Sequence, residues 1–125
     1  MQIYESAEDY LETILVIQQR KGNVHSVDIA QDRNFSKASV SVAMKKLREN
    51  GYITMDKDGS INLLEPGREI AERIYERHQV LTKLFTCIGV DPETAAEDAC
   101  KVEHDLSPET FEKLKAYTAS MHKDN

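Results

Sequence analysis

The sequence predicts a mainly α-helical protein, with an N-terminal winged helix-turn-helix in residues 1–65 followed by an all-helical domain in residues 66–125. Three observations predict this fold class. Apolar residues recur at helical spacing over most of the chain. An Asp-Gly turn separates two short β-forming segments in the first half. The second half consists of helical patterns that each begin at a proline.

Length and composition set the limits on this fold. With 125 residues, of which 40% are hydrophobic, the chain can bury one modest core or two small modules that share an interface. No apolar run approaches the roughly 20 residues of a membrane span, and the N-terminus lacks the pattern of a secretion signal. We therefore expect a cytoplasmic protein. Cys87 and Cys100 have no CxxC spacing and are expected to be thiols, with Cys87 in the core.

The charge distribution identifies one basic segment. The net charge of −6 argues against nucleic-acid binding until the chain is divided. Residues 1–19 carry four acidic and no basic residues, residues 20–62 five acidic and eight basic, and residues 63–125 thirteen acidic and eight basic. The central segment, at +3, is the part suited to nucleic acid.

The first predicted helix carries an apolar face and an acidic stripe. Ser6 is its expected N-cap, and it extends to about Gln19. Repulsion along a solvent-exposed stripe of acidic residues would be relieved by a bound cation. The apolar face consists of Tyr10, Leu11, Ile14, Leu15 and Ile17, and the stripe of Glu5, Glu8, Asp9 and Glu12.

The next elements have the order of a winged helix-turn-helix. Ser26 is the expected cap of a short helix, Val27 to about Arg33, and Ser36 the cap of a third helix, Lys37 to Asn50, that stops at Gly51. Residues 52–55 and 60–64 form a predicted hairpin around Asp58-Gly59. His25 is expected to be a surface or loop residue.

The third helix is the predicted DNA-reading helix. In a helix-turn-helix the second helix of the motif enters the major groove by its N-terminal residues, and small polar side chains there allow close approach. Serines also cap helices and lysines also keep them soluble, so no single residue indicates DNA binding. The whole set together does. The predicted DNA-binding residues are Ser36, Lys37, Ser39, Ser41, Lys45 and, in the wing, Lys57.

Three helices are predicted in the second half. The first begins at Pro66 and runs to about Ile88, where Gly89 ends it, and its apolar residues serve either core packing or a dimer seam. Asp91-Pro92 begins the second, and Ser107-Pro108 begins the last, which runs to about Ser120. Residues 121–125 are expected to be frayed.

Side chains suited to metal binding occur at helical spacing in two places. Cys100, Glu103 and His104 are related as i, i+3 and i+4, so on a helix they share a face, and Asp9 and Glu12 are related as i and i+3. Carboxylate, imidazole and thiolate together suit a divalent first-row metal. Solvated carboxylates and a core cysteine are the alternative interpretation.

Six stretches together carry a specific family resemblance: residues 7–14, 39–41, 46–47, 51–53, 77–78 and 102–107. Through them, and over nearly its whole length, the chain resembles the metal-dependent repressors of the diphtheria toxin repressor and manganese transport regulator family. The resemblance implies a homodimer that binds a double-stranded DNA operator, with a divalent metal between the winged helix and a helical metal-binding and dimerisation domain. The ligands it implies are Asp9, Glu12, His78, Cys100, Glu103 and His104.

The implied ligand set is mixed. Manganese-sensing members usually have a glutamate where this chain has Cys100, whereas iron-sensing members usually have methionine in place of Asp9 and cysteine in place of Cys100. The ancillary site of the iron type falls on Thr82 and Ala96, which are weak ligands. Hard oxygen donors favour Mn²⁺ and a thiolate favours Fe²⁺ or Zn²⁺, so we expect Mn²⁺, with Fe²⁺ as the alternative.

Three other functions compete with a metal-dependent repressor. A metalloenzyme could use the same donor types, but it would leave the basic helix-turn-helix without a role. A winged-helix regulator could respond to an organic ligand, in which case chelators would not affect its DNA binding. A winged helix used for protein interaction would bind DNA weakly at any salt concentration.

Overall fold

The structure, a computed structural model, describes residues 5–123, with side chains as far as Met121. Within these residues there are six helices and one two-stranded antiparallel sheet, so the predicted mainly α fold class is confirmed. By its internal contacts the chain divides into one unit up to Arg73 and a second from Ile74. The elements are α1 (Glu5–Lys21), α2 (Ser26–Arg33), α3 (Lys37–Glu49), β1 (Ile53–Met55), β2 (Ile61–Leu63), α4 (Glu65–Cys87), α5 (Pro92–Val102) and α6 (Pro108–Lys123).

The first unit has the predicted winged helix-turn-helix order of three helices and a hairpin. The strands pair with Ile53 opposite Leu63 and Met55 opposite Ile61. Gly59 closes the turn between them with a φ of +87°, a conformation that glycine adopts without strain. The N–H of Ile61 donates to the carbonyl of Val24 at 2.8 Å, which fastens the wing to the loop after α1.

The core of the first unit uses the predicted apolar faces. Leu11, Ile14 and Ile17 of α1 are fully buried, and Tyr10 is only partly buried. Burying each aliphatic side chain contributes roughly 1.5–3 kcal/mol. The other buried apolar side chains up to Ile61 are Leu15, Val24, Ile29, Ala30, Val40, Met44, Leu47, Ile53 and Ile61.

The predicted helix caps are partly correct. The N–H of Ser39 donates to Ser36 Oγ at 3.1 Å, so Ser36 caps α3 as predicted. The prediction for Ser26 is wrong, because α2 begins at Ser26 and His25 is its N-cap. The N–H of His25 donates to Asp28 Oδ2 at 2.8 Å, and this carboxylate fixes the helix start one residue early. Ser6 is not an N-cap, since it lies inside α1.

The second unit contains the C-terminal part of α4 with α5 and α6. Its helices begin where predicted: Asp91 Oδ2 accepts the N–H of Glu93 at 3.1 Å, and Ser107 Oγ accepts the N–H of Thr110 at 3.2 Å. Helix α6 continues through residue 123, so the predicted fraying from residue 121 is wrong that far, and residues 124–125 lie outside the described residues. The buried apolar residues are Ile74, Leu81, Leu84, Ala95, Ala99 and Phe111.

Cys87 is an exposed thiol and not the predicted core thiol. It is the last residue of α4, where the chain approaches the positive φ of Gly89, and the residues from Thr86 to Gly89 are all exposed. Both cysteines are free thiols, as predicted. Across the described residues, every helix is too short or too polar to cross a membrane.

Gly67 allows the start of α4 to pass close to the first unit's core. It is buried in the first turn of α4, and a Cβ atom added there would overlap the backbone carbonyl of Tyr52 and approach Leu11 Cδ2 to 3.3 Å. That carbonyl is held in place because it accepts the N–H of Leu64 at 3.0 Å. A side chain at position 67 therefore requires the backbone to move.

We expect Gly67→Ala to lower the free energy of unfolding by about 1–3 kcal/mol, because overpacking against the backbone exceeds the gain in helix propensity. Urea denaturation followed by circular dichroism measures the change. Glu69→Ala, at an exposed position two residues along the same helix, is the control and should be nearly neutral. Equal or greater stability of Gly67→Ala would contradict the close approach.

Candidate metal centre and nucleic-acid interface

Glu103 lies at the end of α5 and is completely buried. The helix itself ends at Val102, so the expectation that Glu103 and His104 continue it is wrong. Glu103 is the C-cap, with helical φ and ψ of −58° and −25°, and His104 follows in a turn closed by a hydrogen bond from the N–H of Asp105 to the carbonyl of Val102. Near-helical geometry at position 103 still keeps Cys100 and Glu103 close together.

The Glu103 carboxylate is surrounded by other potential metal ligands, and we call His78, Cys100, Glu103 and His104 the Glu103 cluster. Glu103 Oε2 lies 3.1 Å from His78 Nδ1, and Oε1 lies 3.6 Å from His104 Nε2. The exposed fractions of the Glu103 and His104 side chains are 0% and 1%. Cys100 Sγ lies within 4.8 Å of a Glu103 carboxylate oxygen.

The oxygen Glu103 Oε1 is buried and has no hydrogen-bond partner among the described residues. A buried carboxylate oxygen that lacks a donor is costly, because it has lost its hydration without replacement. A cation at this oxygen would supply the missing interaction. Two imidazoles, a thiol and a carboxylate are a donor set that divalent transition metals accept, so the residues present fit a metal ion.

Arg77 organises the turn that carries Glu103, and it was not predicted to have a role. Its guanidinium Nη1 donates to the carbonyls of Glu103 at 3.0 Å and of Leu106 at 2.7 Å. The same guanidinium lies over the Phe111 ring, 5.3 Å from its centroid. The sequence does carry a signal: Arg77 stands three residues after Ile74 and four before Leu81, in the apolar stripe of α4.

Two acidic residues of α1, Glu8 and Asp9, have cationic partners within the first unit. Glu8 Oε2 lies 2.8 Å from Arg73 Nη2, and Asp9 Oδ2 lies 3.5 Å from Arg33 Nη2. The expected solvent-exposed stripe is wrong for Glu12, whose exposed fraction is 6%. Asp9 and Glu12, the ligands expected from α1, thus lie on a partly buried face of that helix.

Arg33 also belongs to an aromatic cluster at the start of α3. Its guanidinium lies 5.7 Å from the centroid of Phe35, and the Phe35 ring is tilted against Tyr10 with centroids 5.4 Å apart. Burial raises the pKa of Tyr10, and the positive charge of Arg33 partly offsets this. Phe35 immediately precedes the N-cap Ser36, so the cluster connects Asp9 with the beginning of α3.

The predicted DNA-binding residues all lie on exposed surface of the first unit. The five on and before α3 occupy its N-cap and its exposed sides, while Val40, Met44 and Leu47 face the core. Lys57 is exposed in the turn of the hairpin. Hydroxyl and ammonium groups at one helix start and on the adjacent wing are available to phosphates and base edges.

Two family models together match nearly the whole chain. The model described as "Iron dependent repressor, N-terminal DNA binding domain" matches residues 2–61. The model described as "Iron dependent repressor, metal binding and dimerisation domain" matches residues 64–125. One model thus covers most of the winged helix-turn-helix and the other covers the helices that carry the Glu103 cluster.

Curated relatives and solved structures agree with these models. The chain is 37% identical to an uncharacterized HTH-type transcriptional regulator of Methanocaldococcus jannaschii, over 90% of this chain and 92% of that protein. It is 32% identical to the transcriptional regulator MntR of Salmonella typhimurium, over 91% of this chain and 73% of that protein. Both of these relatives are named as regulators and not as enzymes.

The fold is also that of a manganese-dependent transcriptional repressor whose structure was solved in complex with manganese. The TM-score is 0.83 at 24% identity, and the match covers 90% of this chain. The chain spans 52% of the length of that structure's chain.

Replacing Arg77 by lysine should destabilise the protein, because a lysine ammonium lacks the planar guanidinium that stacks on Phe111 while it donates to the two carbonyls. Leaving a buried carbonyl without its donor costs about 1–3 kcal/mol. Thermal or urea unfolding measures the loss, and the imidazole NMR signals of His78 and His104 report the turn. Arg73→Lys, on the same helix but at an exposed position, is the control. Equal stability of both variants would show that Arg77 does not organise the turn.

Proposed function

Because the chain belongs to the iron-dependent repressor family, metal-dependent transcriptional repressors of the diphtheria toxin repressor and manganese transport regulator type, we propose that it binds operator DNA as a homodimer when a divalent cation occupies the Glu103 cluster. The observation that carries the proposal is the fully buried Glu103 carboxylate, whose Oε1 has no hydrogen-bond partner among the described residues.

The electrostatics of the Glu103 cluster support a cation. Moving a carboxylate out of water costs several kcal/mol unless opposite charge compensates it. A bound divalent ion supplies that charge. His78 and His104 flank the two oxygens of Glu103 at 3.1 and 3.6 Å, and as neutral imidazoles both can act as ligands. Cys100 can add a thiolate.

Two further ligands, Asp9 and Glu12 of α1, complete the proposed set. Their assignment is supported by the family resemblance and by their i, i+3 spacing, which directs both carboxylates to one side of the helix. Both side chains are largely shielded from water. Helix α1 is part of the winged helix-turn-helix, so a ligand set that includes it would connect cation binding with the DNA-reading unit.

We propose Mn²⁺ as the physiological cation and Fe²⁺ as the alternative. The set contains three carboxylates, two imidazoles and one thiol. Oxygen ligands suit Mn²⁺, whereas a thiolate raises the affinity for Fe²⁺ and Zn²⁺, and metal availability in the cell decides among ions that one site can hold.

The proposed DNA interface consists of the N-terminal part of α3 and the wing. Ser36, Lys37, Ser39, Ser41 and Lys45 would contact bases and phosphates from α3, and Lys57 would contact phosphate from the hairpin, as their exposure allows. In a dimer, two such helices must lie about 34 Å apart, or a multiple of it, to meet successive major grooves. If a bound cation restricts the positions of the two reading units, a larger fraction of the dimers is competent to bind DNA. The apparent affinity for DNA rises in proportion.

We expect Mn²⁺ to tighten DNA binding at least about tenfold relative to chelator, a coupling of about 1.4 kcal/mol. Fluorescence anisotropy with duplex DNA from upstream of the protein's own gene measures the affinity in chelator, Mn²⁺, anaerobic Fe²⁺ and Zn²⁺. Glu103→Gln keeps the shape but removes the charge, so it should lose the metal response. Glu97→Gln, at an exposed position of α5, should retain it.

Two results would contradict this proposal. An undiminished metal response in Glu103→Gln would exclude the Glu103 cluster as the sensing site. Equally tight binding in chelator and in every metal would favour a regulator that responds to a non-metal ligand.

If Asp9 is a ligand, Arg33→Ala should raise the Mn²⁺ affinity roughly two- to fivefold. The Arg33 guanidinium lies 3.5 Å from Asp9 Oδ2, where it competes for the carboxylate and repels a cation, and partly exposed ion pairs contribute about 0.2–1 kcal/mol. Titration of free Mn²⁺ by electron paramagnetic resonance measures the affinity without DNA. Arg20→Ala, which removes the exposed Arg20–Asp32 pair, is the control. Unchanged affinity in Arg33→Ala would count against Asp9.

A further inference from the structure

An apolar side chain points outward from the middle of α3. The core-facing residues of this helix are Val40, Met44 and Leu47. At about 100° per residue, Val42 lies on the opposite side of the helix, and its exposed fraction is 55%, against 43% for Val27. Among the large hydrophobic residues described in the first unit, Val42 is the most exposed.

The surroundings of Val42 are polar and cationic. One turn before it is Ser39, and one turn after it are Lys45 and Lys46, all of them exposed. A single exposed valine needs no explanation on an ordinary surface. On the outer side of a DNA-reading helix, however, the arrangement is complementary to one kind of partner surface. That surface carries an apolar group opposite the valine and anionic groups on either side of it, opposite the lysines.

One side of Val42 borders open space. A groove of about 550 Å³ lies between α3 and the first turns of α1. Tyr10 and Ala7 form part of its α1 wall, while Ala38, Ser39, Val42 and Lys46 form part of its α3 wall. The protein's own atoms therefore do not cover this flank of the valine, and a partner can contact it from the side as well as from the front.

We propose that Val42 is a specificity-determining residue that reads the 5-methyl group of a thymine in the operator. This inference rests on the proposed DNA-binding function. Thymine is the only base that presents an apolar group in the major groove. Serine hydroxyls donate and accept hydrogen bonds, so Ser39 and Ser41 can bind either type of base pair. The Val42 side chain cannot form hydrogen bonds and gains binding energy only from an apolar neighbour. It therefore favours thymine over the other bases at the position it contacts.

Replacing thymine by deoxyuridine tests the proposal, because this change removes the methyl group and leaves every hydrogen-bonding group in place. The duplex is one selected by the wild-type protein with Mn²⁺ from a random-sequence pool, and each thymine is replaced singly. We expect one thymine per half-site at which the wild-type protein loses about fourfold in affinity, the effect of one methyl group removed from a buried contact.

The variant Val42→Ala should bind the selected duplex more weakly and should show no loss at that same thymine when it becomes deoxyuridine. Val27→Ala is the matched control, because it truncates another exposed valine of the first unit that lies on α2. It should keep the wild-type pattern of sensitivity. Circular dichroism and thermal unfolding confirm that both variants are folded, as substitutions at exposed helical positions should be.

The outcomes separate this inference from the function on which it rests. A deoxyuridine effect that persists at full size in Val42→Ala would overturn the role of Val42. Tight, metal-dependent binding with no deoxyuridine effect at any position would also overturn it while leaving the proposed function intact. Failure of the wild-type protein to select any duplex, with or without Mn²⁺, would overturn both.

Discussion

The buried guanidinium of Arg77 is the interaction on which the candidate metal centre depends. After Val102 the backbone leaves the helix, and the carbonyls of Glu103 and Leu106 need new donors. Arg77 supplies both, at 3.0 and 2.7 Å, and its planar face rests on Phe111. Because His78 is the next residue on α4, the same turn of helix that anchors the backbone of Glu103 also places an imidazole 3.1 Å from its carboxylate. A lysine at position 77 would lose the stacking on Phe111, and an apolar residue would leave the two carbonyls without this donor.

The groups that lie beside the acidic side chains Glu8, Asp9 and Glu103 differ between the two units. In the first unit, Glu8 and Asp9 have arginine partners, Arg73 and Arg33, so their charges are compensated by the protein itself. In the second unit, Glu103 is more deeply buried, and the side chains identified beside its carboxylate are two histidines and a cysteine rather than an arginine or a lysine. A cation bound in the Glu103 cluster would supply the opposite charge that these neutral donor types do not. Any cation that binds there also stabilises the folded state, because it has no comparable site in the unfolded chain.

The sequence was sufficient for features set by local chemistry and insufficient for those set by tertiary contacts. Apolar periodicity predicts Leu11, Ile14 and Ile17 as core residues, and the predicted caps Ser36 and Asp91 are correct. The prediction of Ser26 as a cap is wrong because the Asp28 carboxylate accepts the backbone N–H of His25 and so makes His25 the N-cap. The burial of Glu12, the exposure of Cys87 and the end of α5 at Val102 could not be predicted, because each depends on packing. Arg77, for example, contacts the carbonyl of Glu103 from 26 positions earlier in the sequence.

The proposed coupling between a cation and DNA has a physical route within the first unit. Asp9, Arg33, Phe35 and Tyr10 form one chain of contacts, and Phe35 directly precedes the N-cap of α3. If Asp9 becomes a metal ligand, Arg33 must share or lose that partner, and its guanidinium also lies over the ring of Phe35. A change of charge at Asp9 would therefore act on contacts of Phe35, the residue directly before the N-cap of α3. If DNA holds α3 in the arrangement that a bound cation favours, linkage requires that DNA tighten cation binding by the same factor as the cation tightens DNA binding.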